Sequence, residues 1–263
     1  MKMAEARIKL PDDLKNLLEI ESCEDFKINR FYVTADQEKI LSDIVSGNEM
    51  AEEMKKLGMA YMNSTLLWGV PGTGKTTMAR WIAYMLDMDF AYINFANLVD
   101  GVFGNTSRNI SKIFKFMSEQ ECVFMIDELD CIAVDRGTES AATGGELSRI
   151  TITLMQNLDY YRTHNIKTII LAATNKLDLV DPALRSRFSI EHEVKKLNLE
   201  EKIGYIKQYL EDAGIPYNEK NIKDYCAKHM TINQRNIESD MIRCAVNWIS
   251  NGKKEYILER TQK

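Results

Sequence analysis

Ser64-Thr65-Leu66-Leu67-Trp68-Gly69-Val70-Pro71-Gly72-Thr73-Gly74-Lys75-Thr76-Thr77 is the stretch that decides the fold. A short, β-prone apolar run, Ser64 to Trp68, leads into Gly69-Val70-Pro71-Gly72-Thr73-Gly74-Lys75-Thr76, which meets the phosphate-binding pattern G-x-x-x-x-G-K-[ST] at every fixed position. Glycines let the backbone curl tightly, so that successive N–H groups face one anion. Lys75 has the reach for the β- and γ-phosphates of a nucleotide, and the Thr76 hydroxyl can ligate Mg²⁺. Beyond Thr77, the residues Met78, Trp81, Ile82, Met85 and Leu86 recur at helical spacing. Thr76 therefore opens a helix whose N-terminal dipole favours the same anion. Strand, glycine loop and helix stand in the order such a loop requires, which an accidental glycine-rich turn has no reason to show.

Outward from this stretch the chain alternates strand and helix. Phe90-Ala91-Tyr92-Ile93-Asn94-Phe95 reads as a strand, and Ser107 to Met117 as a helix with Ile110, Ile113, Phe114 and Met117 on one face. Cys122-Val123-Phe124-Met125-Ile126 is continuously apolar, as in a strand buried on both faces of a parallel sheet. A long helix is expected from about 145 to 160, a buried strand over Lys167-Thr168-Ile169-Ile170-Leu171-Ala172, and a fifth strand over 189–194. This alternation argues for a parallel α/β sheet covered by helices, over residues 36–196. Past Lys195 three helical segments remain, Leu199 to Leu210, Glu219 to Lys228 and Asn236 to Ile249, and they predict a small all-α domain at 197–263. Residues 1–35 are too few for an independent domain and are expected to pack on the body or to act as a linker.

The composition is ordinary for a globular protein: 263 residues, 45% hydrophobic and 28% charged. A net charge of -5 and a pI near 5.4 argue against a general nucleic-acid-binding surface while leaving room for a local basic patch. Cys23, Cys122, Cys131, Cys226 and Cys244 form no C-x-x-C pair, so neither zinc nor a disulfide framework is expected, and a reducing cytoplasmic setting fits. Cys122 and Cys131 flank an apolar strand and read as buried thiols, and the fourteen methionines as flexible core filling. No signal-peptide core follows Met1, and no apolar run approaches the roughly 18 residues of a membrane span, so no membrane partner is expected.

Asp127-Glu128 follow the apolar strand directly. At the C-terminal edge of a parallel sheet, where ligands bind, Asp127 can hold Mg²⁺ through its water shell. Glu128 can orient and deprotonate the water that attacks a γ-phosphate. Two acids that merely end a strand would look the same; the phosphate loop favours the chemical reading. Asn175, after Ala172-Ala173-Thr174, stands at the same edge and suits either a hydrogen bond to the γ-phosphate or water, or simply a turn.

Together these motifs resemble those of the AAA-type ATPases. The match rests on the loop Gly69 to Thr77, on Ile126-Asp127-Glu128-Leu129-Asp130-Cys131-Ile132-Ala133, on Ala172-Ala173-Thr174-Asn175-Lys176-Leu177-Asp178, and on Asp181-Pro182-Ala183-Leu184-Arg185-Ser186-Arg187-Phe188. It covers roughly residues 36–250. It implies a five-stranded core with a helical lid, ATP hydrolysis with Mg²⁺, and assembly of the chain with itself into a ring, commonly a hexamer. It further implies nucleotide binding by Gly69, Val70, Pro71, Gly72, Thr73, Gly74, Lys75, Thr76, Thr77 and Asp127, with Thr76 and Asp127 at the metal. Glu128 is then catalytic, Asn175 the first sensor, and Arg185 or Arg187 the residue that reaches a neighbouring subunit's ATP to stabilise transition-state charge. The segment is shorter than the family's usual Arg-Pro-Gly-Arg form, which leaves the choice between the two open. Arg235 stands where many relatives outside the AAA subgroup carry a second sensor; a solvated arginine suits the place equally. Val102-Phe103-Gly104 resembles the first pore loop, with the aromatic one position later than in many members; Phe103 packed in the core is the alternative. The polar stretch from Asp135-Arg136-Gly137 to Gly145 is either a second loop or a surface connection.

The resemblance implies an ATPase that remodels or disassembles a protein partner. A nucleic-acid-associated ATP switch and a nucleotide-dependent scaffold of low turnover are the alternatives. No sizeable recruiting domain is expected ahead of the core.

Overall fold

A computed structural model describes residues 5–95, 98, 105–131, 141–164 and 166–260. The core is a six-stranded sheet in the order β1-β3-β4-β5-β2-β6. Its strands are β1 (Glu19–Glu21), β2 (Ser64–Trp68), β3 (Phe90–Asn94), β4 (Val123–Asp127), β5 (Ile169–Thr174) and β6 (Ile190–Glu193). The five strands legible in the sequence, β2 to β6, run parallel in registers such as Trp68↔Thr174, Trp68↔Glu193 and Asn94↔Asp127. Their carboxyl ends therefore share one edge. The sixth, β1, comes from the N-terminal segment and pairs antiparallel with β3, Ile20 opposite Ala91. Three residues are too few for alternation to reveal such a strand. Arg80 braces it with two hydrogen bonds to the Glu21 carboxylate, 2.7 and 2.8 Å, while its guanidinium lies over the Phe90 ring.

The alternation within the buried strands splits the core into two layers. Leu66, Ala91, Ile93, Phe124, Ile126, Ile170 and Ala172 face α3 (Thr106–Met117) and α4 (Ala141–His164), with Leu14 and Leu18 of the N-terminal segment in the same layer. Leu67, Phe90, Val123, Met125, Ile169, Leu171 and Ala173 face α1 (Ala35–Lys56) and α2 (Lys75–Met85). Val123 to Ile126 have no solvent exposure, which accounts for their uninterrupted apolar character.

The last three helices, α5 (Leu199–Asp212), α6 (Glu219–Lys228) and α7 (Gln234–Ser250), enclose a core of their own built on Ile206, Leu210, Ile222, Cys226, Ile237 and Met241. Asn198, Asn218 and Asn233 cap them, each side chain accepting from backbone N–H groups of the first turn. The N-terminal segment joins this lid to the core. Gln208 Nε2 donates to the carbonyls of Asn29 and Phe31, Arg30 pairs with Asp212 at 2.8 Å, and Tyr32 lies so close to Gly204 that an added Cβ would sit 2.5 Å from its ring.

None of the five cysteines forms a disulfide. Cys122 is buried as expected, whereas Cys131 is only partly so. Burial pushes the Cys226 thiol up to about 11, which keeps it neutral. Among the described residues no helix is long and apolar enough to cross a membrane.

Candidate active site

The end of β2, the start of α2 and the ends of β4 and β5 meet at the carboxyl edge of the sheet, under the lid. Here lies a cavity of about 640 Å³, walled by residues 71–77, Asp127, Glu128 and Asn175. The 26–32 segment and the lid residues Tyr205, Gln234, Arg235 and Glu238 close its other sides.

The loop's glycines have specific tasks. Gly69 has φ +146°, and a Cβ there would meet the Val194 carbonyl at 2.5 Å, so only glycine lets β2 turn into the loop beside β6. Gly72 has φ +80° and lies beneath the lid, where a Cβ would come 2.7 Å from Asn233 Nδ2.

Lys75 is 7% exposed and spends its donors on neutral oxygens: the Gly69 carbonyl at 2.7 Å, the Val70 carbonyl at 3.3 Å and Asn175 Oδ1 at 2.8 Å. Burial lowers its pKa; Asp127 and Asp130 oppose that shift, and Arg235 adds to it. A buried cation without a bonded anion is short of negative charge, which a phosphate would supply.

Thr76 Oγ1 donates to Asp127 Oδ2 at 2.6 Å, and the other carboxylate oxygen accepts from the Glu128 N–H at 2.8 Å. With its hydrogen committed to the carboxylate, the hydroxyl keeps its lone pairs for a cation. One hydroxyl oxygen beside one carboxylate suits Mg²⁺, which is commonly held by one or two protein oxygens, substrate phosphates and water. Among the described residues no group of three or more His, Cys, Asp or Glu is placed to hold a metal ion.

Glu128 sits at φ +60°, a left-handed conformation that costs a non-glycine residue on the order of 1–2 kcal/mol. The single turn Leu129–Cys131 follows at once, Cys131 N–H donates to the Glu128 carbonyl at 3.0 Å, and buried Leu129 anchors the turn. Glu128 lines the cavity at this strained turn.

Several residues not singled out in the sequence complete the site. Asp130 Oδ1 accepts from Thr174 Oγ1 at 3.0 Å and from the Asn175 N–H at 3.1 Å, fixing the end of β5 from which Asn175 meets Lys75. An acid two residues beyond Glu128 was visible as a residue type, but its partners arrive from another strand. The 26–32 segment was expected to pack on the body or to act as a linker, and its place in the cavity wall was not legible.

The cavity thus gathers Pro71 to Thr77, Asp127, Glu128, Asn175 and Arg235, with Gly69 and Val70 behind Lys75. Arg185 and Arg187 stand outside it. Arg185 makes a two-pronged pair with Glu191, at 3.0 and 2.7 Å. Arg187 bonds Asp159 Oδ2 of α4 at 3.2 and 3.0 Å, and the Ala183 carbonyl. Val102, Phe103 and Gly104, and the stretch from Asp135 to 140, lie outside the described residues.

Residues 65–196 match the family model for the ATPase family associated with various cellular activities (AAA). The chain is 30% identical over 218 residues to a putative 26S proteasome regulatory subunit homologue of Methanocaldococcus jannaschii, spanning 78% of this chain and 57% of that protein. It is 31% identical over 194 residues to 26S proteasome regulatory subunit 8 of Dictyostelium discoideum, spanning 71% of this chain and 47% of the relative. The Saccharomyces cerevisiae homologue of that subunit is 31% identical over 187 residues, spanning 70% and 46%. The chain therefore spans about half the length of the curated relatives it matches.

Proposed function

The chain belongs to the AAA family of ATPases, and from that premise we propose that it hydrolyses Mg²⁺-ATP at sites shared between neighbouring copies in a ring and uses the cycle to remodel or disassemble a protein partner. One observation carries the shared site: every motif residue for nucleotide chemistry within the described residues lines or backs one cavity except the two arginines. The charge they would supply is thus left for another copy's site. The regulatory-subunit names of the relatives support the remodelling role.

The base and ribose suit the aromatic wall of Phe26, Phe31, Tyr32 and Tyr205, and the phosphates suit the loop. Mg²⁺, held by Thr76 and Asp127, would neutralise charge on the phosphate oxygens. Lys75 exchanges its carbonyl partners for phosphate oxygens while its bond to Asn175 holds that amide at the reacting end. Glu128, at the cavity wall, takes the proton of the attacking water. The lid and segment 26–32 wall two sides of the cavity and so limit its contact with bulk water, which strengthens each of these charge interactions.

Mixing two inactive variants tests the shared site. Lys75→Ala copies lack a working loop but present arginines; copies carrying Arg185→Ala with Arg187→Ala lack arginines but keep the loop. Mixed rings should recover a clear fraction of ATP hydrolysis. An inactive mixture of variants that co-sediment would show that the arginines serve no neighbour.

A further inference from the structure

Three consecutive residues at the start of α7 donate to three consecutive carbonyls of the phosphate loop. Asn233 Nδ2 meets the Pro71 carbonyl at 3.0 Å, the Arg235 backbone N–H the Gly72 carbonyl at 3.3 Å, and Gln234 Nε2 the Thr73 carbonyl at 3.1 Å. These are the outward faces of the same peptide units whose N–H groups must face a phosphate. A peptide plane held by its oxygen has its N–H direction fixed as well. The Gln234 amide is oriented by its donor side, because its Oε1 is buried without a hydrogen-bond partner. Leaving an acceptor in that state is unfavourable, so the bond to Thr73 decides the placement. Gly72, directly beneath, leaves no space for a Cβ between the loop and Asn233 or Arg235.

We propose that the first turn of α7 clamps the phosphate loop, with Asn233 and Gln234 as positioning residues that set its peptide planes for phosphate. Lid placement and phosphate affinity are then one equilibrium, independent of any contact between the Arg235 side chain and nucleotide. A ligand that favours the loop's phosphate-ready form favours the docked lid by the same factor. This rests on reading the loop as the nucleotide site.

The test uses neutral variants. Asn233→Ser keeps a helix cap, which Asn233 now supplies to the Asn236 N–H at 2.9 Å, but loses the reach to Pro71. Gln234→Met keeps length and charge state but has no donor. Calorimetric binding of pyrophosphate, ADP and adenosine is measured on the full chain, with circular dichroism melting as a fold check. The clamp predicts that the double variant binds pyrophosphate and ADP about tenfold more weakly, with adenosine affinity unchanged. Equal weakening of adenosine would reduce the two residues to lid stability alone, since Tyr205 and Glu238 of the lid also wall the cavity. Unchanged pyrophosphate and ADP affinity overturns the clamp while the nucleotide site stands. Failure of the unmutated chain to bind any of them removes the site itself, and the clamp with it.

Discussion

Thr76 Oγ1 and Asp127 Oδ2 lie 2.6 Å apart, so the first turn of α2 is bonded to the end of β4, two strands away from the strand that feeds the loop. Thr76→Val keeps the shape and removes the bond and a metal oxygen. Loss of one hydrogen bond lowers stability by about 1 kcal/mol, whereas loss of an oxygen ligand should raise the Mg²⁺ concentration needed for half-maximal hydrolysis by roughly tenfold or more. Magnesium titration of ATPase rate separates the two effects; an unchanged titration would remove Thr76 from the metal.

Lys75 should make nucleotide binding sensitive to alkaline pH. Burial holds its pKa below the ordinary lysine value, and only the ammonium attracts phosphate. ATP affinity should be full below that lowered pKa and fall as pH rises through it, ahead of the roughly 10.4 of a free lysine. The nucleotide-free fold responds oppositely: between the two pKa values the unfolded chain binds more protons, so its stability rises with pH there. An ATP dissociation constant that stays flat up to the free-lysine range would contradict this account of Lys75.

Asp130 should matter through Asn175. Asp130→Ala strands the Thr174 hydroxyl and the Asn175 N–H, a penalty of about 1–3 kcal/mol. In a chain of this size that lowers the melting temperature by roughly 2–4 °C per kcal/mol. If Asn175 positions water, kcat should fall more steeply than ATP affinity, and Asp130→Asn, which retains one acceptor oxygen, should restore part of both. Loss of stability with unchanged kcat would make Asp130 structural only.

Arg187 and Arg185 differ in how they are held. Asp159 meets Arg187 through one carboxylate oxygen, while Glu191 grips Arg185 with two. Releasing a partly exposed pair costs about 0–1 kcal/mol of stability. Asp159→Ala and Glu191→Ala should therefore fold normally, and whichever changes hydrolysis identifies the arginine whose placement matters. No change in either variant would mean that neither ion pair positions a working arginine.

Much of the core was legible because its signals are local. Glycines 69, 72 and 74, the apolar run before Asp127, and the helical spacing after Thr77 lie within short windows, and the structure places β2, β4 and α2 on them. What escaped depends on distant partners. β1 is a strand only because β3 offers an edge, and the wall at 26–32 exists because α5 holds it through Gln208 and Asp212. Asn233 and Gln234 carry no chemical signal in the sequence, because their bonds are to the loop, far away in the chain and directly below. For Arg235 the sequence left a second sensor and a solvated arginine equally open; the residue lines the cavity.

In the proposed cycle Glu128 performs chemistry at a site which Lys75 and the loop provide for binding. Steady-state ATP hydrolysis and equilibrium ATP binding, measured together on the unmodified chain and on Glu128→Gln, test it most directly. The variant should bind ATP at least as tightly, with hydrolysis reduced at least a hundredfold, within the range general acid–base catalysis supplies, about 10² to 10⁴. Equal hydrolysis by the two proteins would contradict it.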